Sequence, residues 1–231
     1  PLFGPSPRPV VQESELNLQS FTDQLGLGTS PSLNEQERVL NAVSSGNYPV
    51  TPGDSYRLVY LDGMKTVTVD LQADDKCLIT IPGLGSVDGS QMSWAEAREA
   101  VLAVVRTYHS YSNPQLVLTA TGTFTVPVIG EVTGTRTVSA WGLSRLSDVV
   151  RSATAWASTR AVQVTSRDGS SRTYDLYQAL RKGVLDEDPL LKSGDVVSLL
   201  RATKMVQLGG NVYQKGTYQL TEEDGLNALL S

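Results

Sequence analysis

"FTVPVIGEVTGTRTVSA" (residues 124–140) and "KMVQLGGNVYQKGTYQL" (residues 204–220) carry one pattern at an offset of 80 residues. With Gly130 laid on Gly210 no gap is needed: Val128 meets Leu208, Val132 meets Val212, Thr137 meets Thr217 and Val138 meets Tyr218. The match runs on into the next segment, with Leu146 on Leu226, Val149 on Leu229 and Val150 on Leu230. A strand, a hairpin and a helix face that recur in step predict one supersecondary unit used twice. Residues 203–231 are therefore expected to begin a second copy, in a chain cut from a longer protein.

Between the two stretches the pattern predicts helix "LSRLSDVVRSA" (143–153), strand "AVQVTS" (161–166), an Asp168-Gly169 turn and strand "RTYDL" (172–176). A short helix to Lys182 and a last strand, "DVVSLL" (195–200), follow. Two hairpins around helices, without regular βαβ alternation, indicate a compact α+β unit of the β-grasp kind over 123–202. Val149, Val150, Val162 and Val164 are expected to share its core.

Upstream, "YRLVYL" (56–61), "TVTVDL" (66–71) and "CLITI" (77–81) alternate as a strand meander, with Asp62-Gly63 and Asp74-Asp75 as turns. In "SWAEAREAVLAVVRTYH", Ser93 and Glu96 form a capping box, and Trp94, Ala97, Val101, Val104, Val105 and Tyr108 make an apolar stripe. Asn113-Pro114 stops that helix before strand "QLVLTAT" (115–121). A shorter helix precedes the meander, capped by Ser32 with Glu35, its face made by Leu33, Val39, Leu40 and Val43 and its end marked by Gly46. The first dozen residues hold four prolines and read as an extended arm. The organisation is thus an N-terminal arm and helix (1–47), a first domain (48–122), a second (123–202) and a partial repeat (203–231).

The 231 residues carry a formal net charge of −5, and no local Lys/Arg cluster offers a field for phosphate backbones, so nucleic acid is not an expected partner. The longest wholly apolar stretch, "VLAVV" (101–105), is far below the roughly 20 residues of a spanning helix. The single cysteine, Cys77, excludes an intrachain disulfide and reads as a small buried hydrophobe.

No catalytic, cofactor-binding or metal-binding residue is assigned. "GLGSVDG" (83–89) lacks the spacing of a phosphate loop and reads as a hairpin. Pro52-Gly53-Asp54 and Ser193-Gly194-Asp195 read as turns whose aspartates accept from nearby backbone amides. Asp186, Glu187 and Asp188 lack the calcium-loop pattern and read as a solvated loop. His109, the lone histidine, follows a helix end with no nucleophile motif anywhere, so the chain is not expected to be an enzyme.

"YPVTPGDSYRLVYL" and "DDKCLITIPGLGSVDGSQMSWAEAREAVLAVVRTYHSYSNPQLVLTAT" resemble the conserved domain of bacterial polysaccharide export outer-membrane proteins. "VPVIGEVTGTRTVSAWGLSRLSDVVRSA", "VTSRDGSSRTYDLYQALRKG" and "LLKSGDVVSLL" resemble the soluble-ligand-binding β-grasp (SLBB) domain that accompanies it. The resemblance covers about 48–231; the family's Pro-Gly in the first hairpin is Thr135-Arg136 here, while Lys215-Gly216 keeps the glycine. It implies a small mixed-sheet export domain, an SLBB-like domain and the truncated start of a second. It further implies the periplasmic part of an outer-membrane channel for capsular polysaccharide or exopolysaccharide. Partners would be the polymer, other copies in a ring-like homo-oligomer and inner-membrane export components, with no cofactor. The alternative is a soluble saccharide-binding module without transport, in which Tyr108, Tyr111, Trp141 and Trp156 stack on sugar rings.

Overall fold

The computed structural model describes residues 34–134, 136–211 and 216–221. The proline-rich arm, Ser32, Leu33, Thr135, Val212, Lys215 and the helix face of Leu226, Leu229 and Leu230 lie outside the described residues. Within them the fold is α+β.

Helix α1 (Glu35–Ser45) is capped two residues later than expected. Asn34, not Ser32, accepts from the Glu37 amide at 2.8 Å, and the Glu37 carboxylate accepts from the Asn34 amide at 3.1 Å. Glu35 is thereby freed for a distant bond described below. Ala42 is the residue α1 buries, while Leu40 and Val43 stay exposed.

β1 (Ser55–Asp62) pairs antiparallel with β2 (Lys65–Gln72) through a tight turn, as expected. The meander then fails. Asp74 Oδ1 accepts from the amides of Lys76 and Leu78, both at 2.8 Å, and Cys77 takes a φ of +61°. That local turn carries β3 (Leu78–Ile81) out of the sheet to pair with β4 (Gly85–Asp88), so "GLGSVDG" is a hairpin segment as its spacing suggests. The free side of β1 is taken instead by β5 (Gln115–Ala120), giving the order β2-β1-β5. Both pairings are antiparallel, so the mixed character expected of this first sheet is not found there.

Helix α2 (Trp94–Tyr108) opens with the Ser93/Glu96 capping box. It buries Trp94, Ala97, Val101, Leu102 and Val105; Val104 is half-buried and Tyr108 is 62% exposed, so the stripe turns toward Leu102 and away from Tyr108. Trp94 stacks on Tyr56 of β1 with ring centroids 5.2 Å apart.

The second sheet has the order β7-β6-β10-β8-β9, built from β6 (Thr123–Gly130), β7 (Arg136–Trp141), β8 (Ala157–Thr165), β9 (Ser171–Tyr174) and β10 (Val196–Arg201). β6 and β10 are parallel, and the other neighbours antiparallel. The expected 143–153 helix is short: α3 (Leu146–Val149) continues as a 3-10 turn over Val150–Ser152. With α4 (Leu176–Lys182) it covers one face of the sheet, where Leu146, Val149, Val150, Val162, Val164 and Leu176 join one core.

The other face is largely polar and uncharged at the positions where its strands pair. Its outward positions, read across the strands, are Thr125 opposite Ser139, Pro127 opposite Thr137, Ile129 opposite Ser198, Ser198 opposite Gln163, and Gln163 opposite Thr173. None is charged. Arg136 and Arg172 pair with the buried Val128 and Val164 and so belong to the helix-covered side.

β11 (Lys204–Leu208) and β12 (Gly216–Leu220) form the repeated hairpin. Their pairs, Met205↔Gln219, Val206↔Tyr218 and Gln207↔Thr217, are those of Thr125↔Ser139, Val126↔Val138 and Pro127↔Thr137 moved by the same 80 residues. Gly130 and Gly210 also share a left-handed conformation, with φ +94° and +88°. At Gly130 a side chain would meet the Leu199 carbonyl at 2.2 Å, the cost of parallel pairing with β10, and at Gly210 it would meet nothing within 4 Å.

Candidate functional site

Two cores lie on either side of Gly122: one from Ala42 to Leu118, the other from Phe124 to Leu199. What joins them is the Pro52-Gly53-Asp54 turn. Asp54 is fully buried, and its carboxylate accepts from the Tyr48 hydroxyl (2.6 Å), the Thr51 amide (2.8 Å), the Tyr56 hydroxyl (3.1 Å) and the Gly122 amide (2.6 Å). Loss of hydration raises its pKa, opposed by these donors. Burial next to Asp54 raises both tyrosines in the same way. The amide acceptance expected of Asp54 therefore holds, but its partner at Gly122 was not legible in the sequence.

Around this bond the packing is tight. A side chain at Gly122 would sit 2.1 Å from the Pro52 carbonyl oxygen, and one at Gly142 would sit 2.6 Å from the Tyr48 ring. Trp141, at the end of β7, lies 6.2 Å from Tyr48 and packs with Leu143 against the first core. The Glu35 carboxylate reaches Thr121, accepting from its amide at 2.7 Å and its hydroxyl at 3.1 Å, which ties α1 to the same junction.

The facing turns of the two units enclose a cleft of about 480 Å³ beside the junction. Pro52, Gly53 and Asp75 line it from one side, Thr123, Thr125 and Pro127 from β6, and Ser193, Gly194, Asp195 and Val196 from the other. Asp195 accepts from the Lys192 amide at 2.8 Å, the turn role expected of it, and burial raises its pKa. A second hollow of about 470 Å³, lined by Lys76, Leu78, Asp88, Ser90 and Arg167, also takes residues from both units.

The remaining candidates are dispersed. His109 Nδ1 lies 3.6 Å from Asp62, and its ring 5.0 Å from Tyr60. Cys77 is buried, with Sγ 3.4 Å from the Val50 carbonyl oxygen and its thiol pushed up to about 11 by burial. The acidic run is solvated at Asp186 but not beyond it: Asp188 is buried and accepts from the Ser147 amide (2.9 Å) and hydroxyl (2.8 Å), and the half-buried Glu187 accepts from the Asp175 amide. Of the four aromatics, Trp141 is packed at the junction, Tyr108 and Tyr111 are exposed, and Trp156 is half-exposed with the Arg201 guanidinium 5.3 Å over its ring. The structure does not bring these four together.

Among the described residues no cluster of three or more His, Cys, Asp or Glu is placed to hold a metal. Among them, too, no helix is long and apolar enough to cross a membrane. A scan against protein-family models and a search of curated proteins both return no match for the chain.

Proposed function

We propose that this chain is a non-catalytic, periplasmic part of an outer-membrane polysaccharide export apparatus, in which small β domains are stacked as identical subunits around a conduit. The carrying observation is the second hairpin, which repeats the strand register of the first at an offset of 80 residues. A unit used in tandem suits a protein that spans a distance, since each copy adds length with the same packing solution. In this reading the sheet order β7-β6-β10-β8-β9, with its parallel centre and one helix-covered face, is that of an SLBB-like β-grasp unit over 123–202. Residues 48–122 are then the export-like domain, and residues from 203 open the next SLBB-like unit.

Two further features support a load-carrying role. The units are joined by a buried carboxylate and close backbone contact at Gly122, which resists bending between them. The repeat hairpin is held to β8 by Gln219, whose carbonyl accepts from the Thr159 amide (2.7 Å) and hydroxyl (3.1 Å) and whose amide donates to the Ala157 carbonyl (2.7 Å). Deleting the gene in its native host tests the proposal: surface polysaccharide should disappear while polymer accumulates within the envelope. Undiminished surface polysaccharide would overturn it.

A further inference from the structure

The geometry points to the open face of the five-stranded sheet as a contact surface for an uncharged, hydroxyl-rich glycan chain, a substrate class that the export reading, on which this rests, leaves unspecified. Across this face Thr125, Ser139, Ser198, Gln163 and Thr173 occupy outward positions of five adjacent strands, and among the described residues no outward position of β6, β7, β8, β9 or β10 is charged. The strands' arginines are elsewhere. Arg136 and Arg172 sit on the helix-covered side, Arg160 pairs with Asp175 at the start of α4, and Arg201 lies over Trp156 at the sheet end.

Neighbouring strands lie about 4.8 Å apart, and alternate residues on one strand about 6.8 Å apart, so hydroxyl and amide groups form a regular two-dimensional array. Such groups both donate and accept, as sugar hydroxyls do. Covering them with a neutral polar polymer exchanges one set of hydrogen bonds for another and dehydrates no charge. Ile129 and Leu200, 39% and 46% exposed, add apolar patches suited to the C–H faces of sugar rings.

The same face runs into the junction cleft, whose walls include Thr123, Thr125 and Val196. Asp75 and Asp195 at that end disfavour a polyanion. A second copy packed face to face is the weaker occupant, because the core of a stable homodimer interface is largely apolar and depleted of small polar residues.

The test uses the whole chain with a neutral glucan hexasaccharide and, as control, an oligogalacturonate of equal length, followed by methyl NMR. The glucan should shift the Thr125 and Thr173 methyls. Ser198→Lys and Thr125→Lys, both exposed or half-exposed positions, should each weaken it by about tenfold or more, a loss of about 1.4 kcal/mol in binding. Thr66→Lys, on the first sheet, should leave it unchanged. Equal binding of the oligogalacturonate, shifts confined to other surfaces, or no glucan binding by a folded chain would overturn the inference. So would self-association that Ser198→Lys abolishes without any glucan shift, which would make the face a subunit interface. None of these outcomes touches the deletion phenotype, which decides the export reading separately.

Discussion

Asp54 accepts the Gly122 amide at 2.6 Å across 68 positions of chain, so the turn that starts the first sheet also fixes the residue from which the second begins. Three other donors converge on the same carboxylate. Asp54→Ala leaves two tyrosine hydroxyls and two amides without their acceptor, and at about 1–3 kcal/mol for a stranded buried group the loss should reach roughly 3 kcal/mol or more. Denaturant unfolding checks this, with coincident loss of both cores as the expected form.

The same group predicts a pH dependence. Burial raises the folded pKa of Asp54 above its unfolded value, so the folded chain holds that proton more tightly. The resulting stability is complete below about pH 4 and is lost as pH rises through the raised folded value. Asp195 is shifted the same way by burial. Asp54→Asn, neutral throughout, should flatten part of this fall in unfolding free energy measured from pH 3.5 to 7; an unchanged slope would assign the effect elsewhere.

Gly122→Ala should loosen the junction, because its Cβ would lie 2.1 Å from the Pro52 carbonyl oxygen and 2.8 Å from the Asp54 amide nitrogen, both backbone atoms. Overpacking of this kind costs about 1–3 kcal/mol. Gly209→Ala, with nothing within 4 Å, is the control and should be close to neutral. Limited proteolysis near residues 120–124 should speed up in the first variant alone.

Gln219→Ala removes the side-chain bonds that hold β12 to Thr159 and Ala157. At about 0.5–1.5 kcal/mol net per bond, amides of β11 and β12 should exchange roughly tenfold faster or more. Exchange in β6, β8 and β10 should stay slow, because their core closes through Val162, Val197 and Leu199 without the hairpin. Truncation after Ala202 should likewise leave both cores folded; a truncated chain that unfolds would make the hairpin integral to the second core.

Val150 is completely buried where α3 passes into its 3-10 turn. Val150→Asp places an unpaired carboxylate there, at a cost of several kcal/mol, comparable with the whole stability of a small domain. Thermal unfolding near the wild-type midpoint would refute the packing of this face.

Local periodicity and turn chemistry sufficed for the hairpin at 124–140, its copy at 204–220, the Ser93/Glu96 cap and the Val149, Val150, Val162 and Val164 core, because each depends on residues close in sequence. The tertiary structure alone decided that β3 leaves the free edge of β2 and that β5 joins β1, since that choice turns on how the Asp74 side chain redirects the chain and on closure over some fifty residues of intervening chain. It also decided that Glu35 bonds Thr121, that Trp141 packs on the first core, that Asp188 is buried against Ser147, and that Gln219 clamps β8. The open face shows the division clearly. Each strand's alternation was legible, but the absence of charge across five strands appears only once pairing register aligns them, because a face is a property of neighbours in space and the sequence orders neighbours along the chain.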